Sequence, residues 1–124
     1  MGDTVLKPDS IIKGLHGAFC RDVSRHELLQ LAAAKIQSAD TRYVGVYMYM
    51  VRGDNLELEA FAGPPKELTS MPADQPGESD LTVSVHLHDK VIGQIAIDCD
   101  TPDAFSEVER NAVSKVADAL ATLL

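Results

Sequence analysis

The sequence predicts an α+β sandwich, one antiparallel sheet with helices packed on it. Three observations carry the prediction. Two stretches open on a capping box and continue with apolar residues at helical spacing, one after Ser24 and one after Ser106. Four stretches read as strands and fall into two hairpins, 43–62 and 81–98. The resulting order of helix, hairpin, loop, hairpin, helix joins the hairpins into one sheet whose apolar face needs helical cover.

The chain has 124 residues, enough for one domain spanning 1–124 with a real core. Hydrophobic residues make up 45% and charged residues 24%, a globular balance that excludes wholesale disorder. A net charge of -8, with no basic stripe, argues against nucleic acid and anionic membrane surfaces as partners. No apolar run approaches the length of a transmembrane helix. The start, MGDTVLKPDS, has an acid and a proline where a secretory signal has basic and then apolar residues, so a cytoplasmic location is expected. Cys20 and Cys99 stand far apart, which indicates neither a disulfide framework nor a cysteine metal knuckle.

Pro8, Asp9 and Ser10 can open a first helix, although Gly14 and Gly17 each cost about 1 kcal/mol in a helix interior. The Ser24–Glu27 box starts a helix over 25–37, with Leu28, Leu29, Leu31, Ala32 and Ile36 as its apolar stripe. Tyr43 to Val51 is β-branched and aromatic without helical period, a strand buried on both faces. Arg52-Gly53-Asp54-Asn55 makes the hairpin turn. In the next strand Leu56, Leu58 and Ala60 take one face and Glu57, Glu59 and Phe61 the other, the pattern of a half-solvated edge strand.

Residues 63–80 hold four of the six prolines and read as a loop with one helical turn near 66–70. Leu81, Val83, Val85 and Leu87 then alternate with Thr82, Ser84, His86 and His88. Asp89-Lys90 forms a tight turn, and Val91 to Asp98 is a nearly all-apolar central strand. Pro102 breaks the chain before the Ser106–Glu109 box. The last helix presents Val108, Ala112, Val113, Val116, Ala117, Leu120 and Leu124 on one side.

Several of these residues carry a family resemblance. Val91-Ile92-Gly93, the apolar strand after it, Asp98, Thr101-Pro102 and Phe105-Ser106-Glu107 resemble the closing segment of GAF domains. Tyr43-Val44-Gly45-Val46-Tyr47 resembles the first strand of the free methionine-R-sulfoxide reductase branch. The resemblance implies a GAF-like (profilin-like) three-layer α/β/α sandwich, with a central antiparallel sheet of about four strands between N- and C-terminal helices. It also implies a shortened domain, because the region that carries the branch's catalytic cysteines corresponds to 63–80, which has none. Sulfoxide reduction needs an attacking thiolate and a resolving thiol. Of the paired aspartates by which that branch holds the substrate amino group, Asp98 matches one and Ala96 stands at the other; Asp80 corresponds to the branch's glutamate.

Asp98, Asp80 and Tyr47 are therefore the candidate ligand-binding residues, with no catalytic residue, metal or cofactor assigned. The expected function is a non-catalytic module, sensory or regulatory, that binds a small molecule or a protein. The first and last helices are expected to pair with those of a second copy in a homodimer. One alternative is a degenerate reductase using Cys99, which stands between Asp98 and Asp100. The other is a metal site at His86 and His88, which lie two apart on one strand face and still need a further ligand.

Overall fold

Helix α1 (Pro8–Cys20) begins on its proline, whose fixed φ and missing N–H suit a first helical turn. Ile11, Leu15 and Ala18 recur on one face and are buried, which outweighs the helix cost of the two glycines. Helix α2 (Arg25–Ala39) follows, its entry fixed by Ser24 Oγ accepting the Glu27 N–H at 3.1 Å. The computed structural model describes residues 7–39, 42–65, 70–72, 81–100 and 106–124. The remaining elements are β1 (Tyr43–Arg52), β2 (Asn55–Ala62), β3 (Ser70–Pro72), β4 (Leu81–Leu87), β5 (Lys90–Cys99) and α3 (Glu107–Leu123).

The strands form one antiparallel sheet in the order β3-β2-β1-β5-β4. With its helices it is an α+β sandwich, as the sequence predicts. β1 is central and buried on both faces. Its Tyr43, Val46, Met48 and Met50 join the core beneath the helices, with Ile95 and Ile97 from β5 and Leu81, Val83 and Val85 from β4. Tyr47 and Tyr49 point the other way, into a smaller cluster with Leu56 and Ala96. α2 lies over β1 and β2, α3 lies over β4, and α1 packs against both helices. Among the described residues, no helix contributes to the Tyr47–Tyr49 face.

Four details depart from the sequence reading, each for a physical reason. First, β2 is not an edge strand. Residues 70–72 pair with it from Asn55↔Pro72 to Glu57↔Ser70, and Pro72 is tolerated because β3 is itself the edge. Second, β2 does not keep one alternation. Between Met48↔Ala60 and Tyr49↔Leu58 it carries one extra residue, which moves Leu56 and Leu58 onto the face of Tyr49 while Ala60 stays under the helices.

Third, the second hairpin turns at His88-Asp89 rather than Asp89-Lys90. Leu87 pairs with Lys90, and His88 takes φ 59° in the left-handed region. Fourth, α3 does not turn Val108 inward. Val108 is 62% exposed, whereas Glu109 is 4% exposed.

Glu109 also explains how α3 is docked. Ser106 Oγ accepts the Glu109 N–H at 3.2 Å, the first half of a capping box. The carboxylate turns into the protein instead of completing it. Tyr43 Oη donates to Glu109 Oε2 at 2.6 Å, and Arg42 Nη2 donates to both carboxylate oxygens at 3.2 Å. The Asp100 N–H donates to the Arg42 carbonyl at 3.1 Å, tying the end of β5 to the same point. A buried carboxylate stripped of its donors is expensive, and a hydrogen bond to a charged group is worth about 1.5–3 kcal/mol. Tyr43→Phe should therefore destabilise the fold by about 2 kcal/mol, whereas Tyr43→Phe combined with Glu109→Leu should cost less than the sum of the two single changes. Urea denaturation of the four proteins measures this, and strict additivity would show that the phenol and carboxylate are not coupled.

Candidate functional site

The sheet face turned away from the helices is where aromatic and polar side chains meet. Cross-strand partners share a face, so the register gives its layout directly. One row runs Phe61, Tyr47, Ala96, Thr82; the next runs Leu58, Tyr49, Gln94, Ser84; Asp98 stands beyond Ala96, opposite Gly45. The β2 and β1 side is apolar and aromatic. The β5 and β4 side carries an amide, a carboxylate and two hydroxyls. These rows set a flat apolar side beside a polar one, with Tyr47, Tyr49 and Ala96 each 2% exposed and Gln94 7%.

Tyr47 and Asp98 are thus brought onto one face. Tyr47 is a wall of the site rather than an open hydroxyl. It is 2% exposed, its ring stacks on Phe61 with centroids 6.1 Å apart, and its Oη donates to the Pro64 carbonyl at 2.6 Å. Two glycines make this placement possible. A Cβ on Gly45 would lie 2.7 Å from Tyr47 Cε2 and Cζ, so only glycine lets the ring cross the β1 backbone. Gly63 sits at φ 118°, and a Cβ there would meet the Val44 carbonyl oxygen at 2.5 Å. Asp80 lies outside the described residues.

Gln94 is a functional candidate that the sequence reading missed, and Tyr49 joins it on this face. Burial first, and the negative charge of Asp98 second, push the Tyr49 phenol above the ordinary tyrosine range. The phenol is therefore held neutral, able to donate a hydrogen bond beside a carboxylate. The strand's alternation was the available signal, since it sets Tyr49 on the face of Tyr47.

The thiol of Cys99 is not part of this face. Cys99 pairs with Tyr43, which belongs to the core beneath the helices, and it alternates with Asp98. Cys20 ends α1 and is exposed. The two histidines are separated as well. His86 is exposed on β4, while His88 occupies the left-handed turn, so the shared strand face expected of them is lost. Among the described residues, no three His, Cys, Asp or Glu side chains gather as a metal site would require. Nor is any described helix long and apolar enough to cross a membrane.

Two shallow grooves lie among the helices. One, of about 220 Å³, is lined by Lys7, Ser10, Ile11, Lys35, Ser38 and Ala39. The other, of about 210 Å³, runs between Pro8 and the Val108–Lys115 side of α3. Neither includes a residue of the Tyr47–Asp98 face.

No family model matches the sequence, and no curated protein matches it. Solved structures do match the fold. The free methionine-R-sulfoxide reductase of Neisseria meningitidis, in complex with its substrate, superposes with a TM-score of 0.79 at 18% identity, over 98% of this chain and 90% of that one. The phycocyanobilin-bound GAF domain of a cyanobacterial phytochrome gives 0.79 at 13% identity, over 94% and 93%. The fold is GAF-like. The type II free methionine-R-sulfoxide reductase of Thermoplasma acidophilum gives 0.73 at 21% identity, over 80% of this chain and 90% of that one. The GAF-like fold is thus shared by a bilin-bound phytochrome domain and by free methionine-R-sulfoxide reductases.

The raised Tyr49 value has a definite sign in solution. Once pH enters the ordinary tyrosine range, the unfolded chain loses this proton while the folded chain keeps it. Tyr49 therefore contributes a loss of stability as pH climbs through that range, and none below it. A ¹³C NMR titration of the tyrosine rings should show Asp98→Asn lowering the Tyr49 pKa while leaving it above the ordinary range, because burial is the larger cause. An unchanged value would mean that the Asp98 charge does not reach the phenol.

Proposed function

We propose that this GAF-like domain is a non-catalytic sensory module that binds a small molecule on the sheet face opposite its helices. The observation that carries the proposal is the row structure of that face. Aromatic rings from β1 and β2 lie beside Gln94 and Asp98 from β5, with no helix over them among the described residues. The ligand class this favours has a flat or apolar body set against Tyr47, Tyr49 and Phe61. Its cationic or hydrogen-donating end is directed at Asp98. Two structural neighbours, the bilin-bound phytochrome domain and the substrate-bound reductase, are themselves small-molecule complexes, which supports the reading.

The rival reading is a degenerate reductase with Cys99 as nucleophile. Its support is the fold shared with the reductases. Against it, Cys99 follows the alternation of Ile95 and Ile97 toward the helices, so its thiol is turned from the face where Asp98 would hold a substrate.

Both readings can be separated on the native protein. Amide chemical shifts should be recorded during titration with a library of small aromatic amines, and with free methionine-R-sulfoxide. Binding on the proposed face moves the amides of Tyr47, Tyr49, Gln94, Ala96 and Asp98, and Asp98→Asn weakens an amine by about tenfold, as expected for losing one charge-assisted contact. Shifts confined to the helical grooves, or none with any compound, would defeat the sensory proposal. Turnover of the sulfoxide that disappears in Cys99→Ser would establish the reductase instead.

A further inference from the structure

β4 forms one edge of the sheet. β5 covers one side of it, and among the described residues no strand pairs with the other side. Such an edge offers a row of unpaired N–H and C=O groups, and proteins ordinarily guard it with charged residues, proline or a very short strand. β4 has none of these devices. Its seven residues, Leu81-Thr82-Val83-Ser84-Val85-His86-Leu87, include no Lys, Arg, Asp, Glu or Pro. The opposite edge is guarded, since β3 has three residues and ends on Pro72.

The β4 sequence is also nearly symmetric about its middle. Leucines stand at both ends, valines flank the centre, and Thr82 and His86 occupy equivalent places around Ser84. An antiparallel pair formed by two such strands about a two-fold axis at Ser84 sets Val83 opposite Val85, Leu81 opposite Leu87 and Thr82 opposite His86 of the other copy. Every pair matches in kind. Hydrogen-bonding groups that face outward on one strand meet outward-facing groups on its mate in this register.

We propose that the outer edge of β4 docks a second copy of this chain, the two β4 strands pairing antiparallel about Ser84. The symmetry of the strand selects that occupant, because a second copy supplies the matching residue at each position. A chain of net charge -8 repels its own copies, and an uncharged edge is where two of them approach at least cost. The exposed apolar side chains at the hairpin end, Leu87 and Val91, lie beside this edge. α3 packs on β4, so joining the edges also brings the two α3 helices side by side as a second layer. The terminal helices have less to offer by themselves. Six buried positions of α3, from Ala112 to Ala121, are committed to the chain's own core, which leaves Val108 as its exposed large apolar residue.

A seven-residue strand is about 24 Å long, and its edge falls short of the roughly 800 Å² per partner of a standard interface. The dimer should accordingly be concentration-dependent, and sedimentation velocity from micromolar to near-millimolar protein resolves it. Ser84 is exposed and central. Ser84→Lys and Ser84→Glu each set like charges together on the axis and should raise the dissociation constant by about tenfold or more. An equimolar mixture of the two should recover a dimer at least as tight as the native one. Val108→Asp should leave dimerisation unchanged.

Thr82→Lys combined with His86→Glu places opposite charges across the axis twice and should preserve or tighten the dimer. This variant keeps the test decisive should a change at Ser84 lower the melting temperature. The proposal is overturned by a native protein that stays monomeric throughout, or by a dimer that ignores the Ser84 charges. Failure of the mixture to recover the dimer overturns it too, as does a dimer that Val108→Asp abolishes.

Discussion

A strand buried on both faces needs cover on both, and β1 places that demand on the whole molecule. Tyr43, Val46, Met48 and Met50 have to be sealed from one side, Tyr47 and Tyr49 from the other. The helices satisfy only the first requirement. Their small and branched side chains, Ala32, Ala33, Val113, Val116 and Ala117, bring α2 and α3 close to the sheet. The second requirement is met partly from within the sheet. The extra residue in β2 swings Leu56 and Leu58 over to the Tyr49 side, and the Tyr47 ring lies along its own strand onto Phe61 and the Pro64 carbonyl. The aromatic rings of this face thus pack along the sheet itself, with polar groups along one flank.

The two faces are held in register at one end by the Glu109 carboxylate. Burying a charge is costly unless its lone pairs are taken, and here Arg42 and Tyr43 take them. Both donors belong to the entry of β1, and the acceptor to the first turn of α3. The Asp100 N–H adds the exit of β5. The start of the central strand, the end of the strand bearing Asp98 and the start of the terminal helix therefore meet at one ionised group. The strand end that bears Asp98 on one face is thereby joined to α3 on the other through Asp100, Arg42 and Glu109. That is a physical connection between the candidate site and the helix, made of hydrogen bonds rather than proximity alone.

The sequence disclosed whatever follows from local periodicity. The two serine caps, the twice-buried β1, the alternation of β4 and the apolar run of β5 each reflect a period of 3.6 or 2, and each element is found. What it concealed depends on pairing. Leu58 and Ala60 alternate perfectly in sequence, yet lie on opposite sides of the sheet, because the bulge is set by the cross-strand register. Glu109 reads as half of a local cap because its spacing from Ser106 is right; only the fold supplies Tyr43 and Arg42 as stronger partners. His88 reads as a strand residue because it continues an alternation, although the two-residue loop needs it in the left-handed region. For the candidate site, Tyr47 and Asp98 were readable as separate candidates from pattern and resemblance. Placing Gln94 and Asp98 on the face of Tyr47 and Tyr49 required the register of β1 against β5.

The candidate face and the β4 edge are not independent surfaces. Ser84 pairs with Gln94, and Gln94 with Tyr49, so the row that crosses the candidate site ends on the proposed two-fold axis. A two-fold axis perpendicular to the sheet leaves both candidate faces on the same side of one continuous sheet. The helices of both copies then lie together on the other side. The rows of the two molecules become a single line through Ser84. In the proposed dimer, a ligand at the hydroxyl end of its row would touch the strand on which the copies meet, and any difference in its affinity for monomer and dimer would shift the assembly. By linkage the effect runs both ways: a ligand that favours the dimer is bound more tightly by it, and by the same factor. For a small domain with a modest edge contact, coupling of that kind would turn occupancy of one face into a change of assembly, without any large movement of the fold.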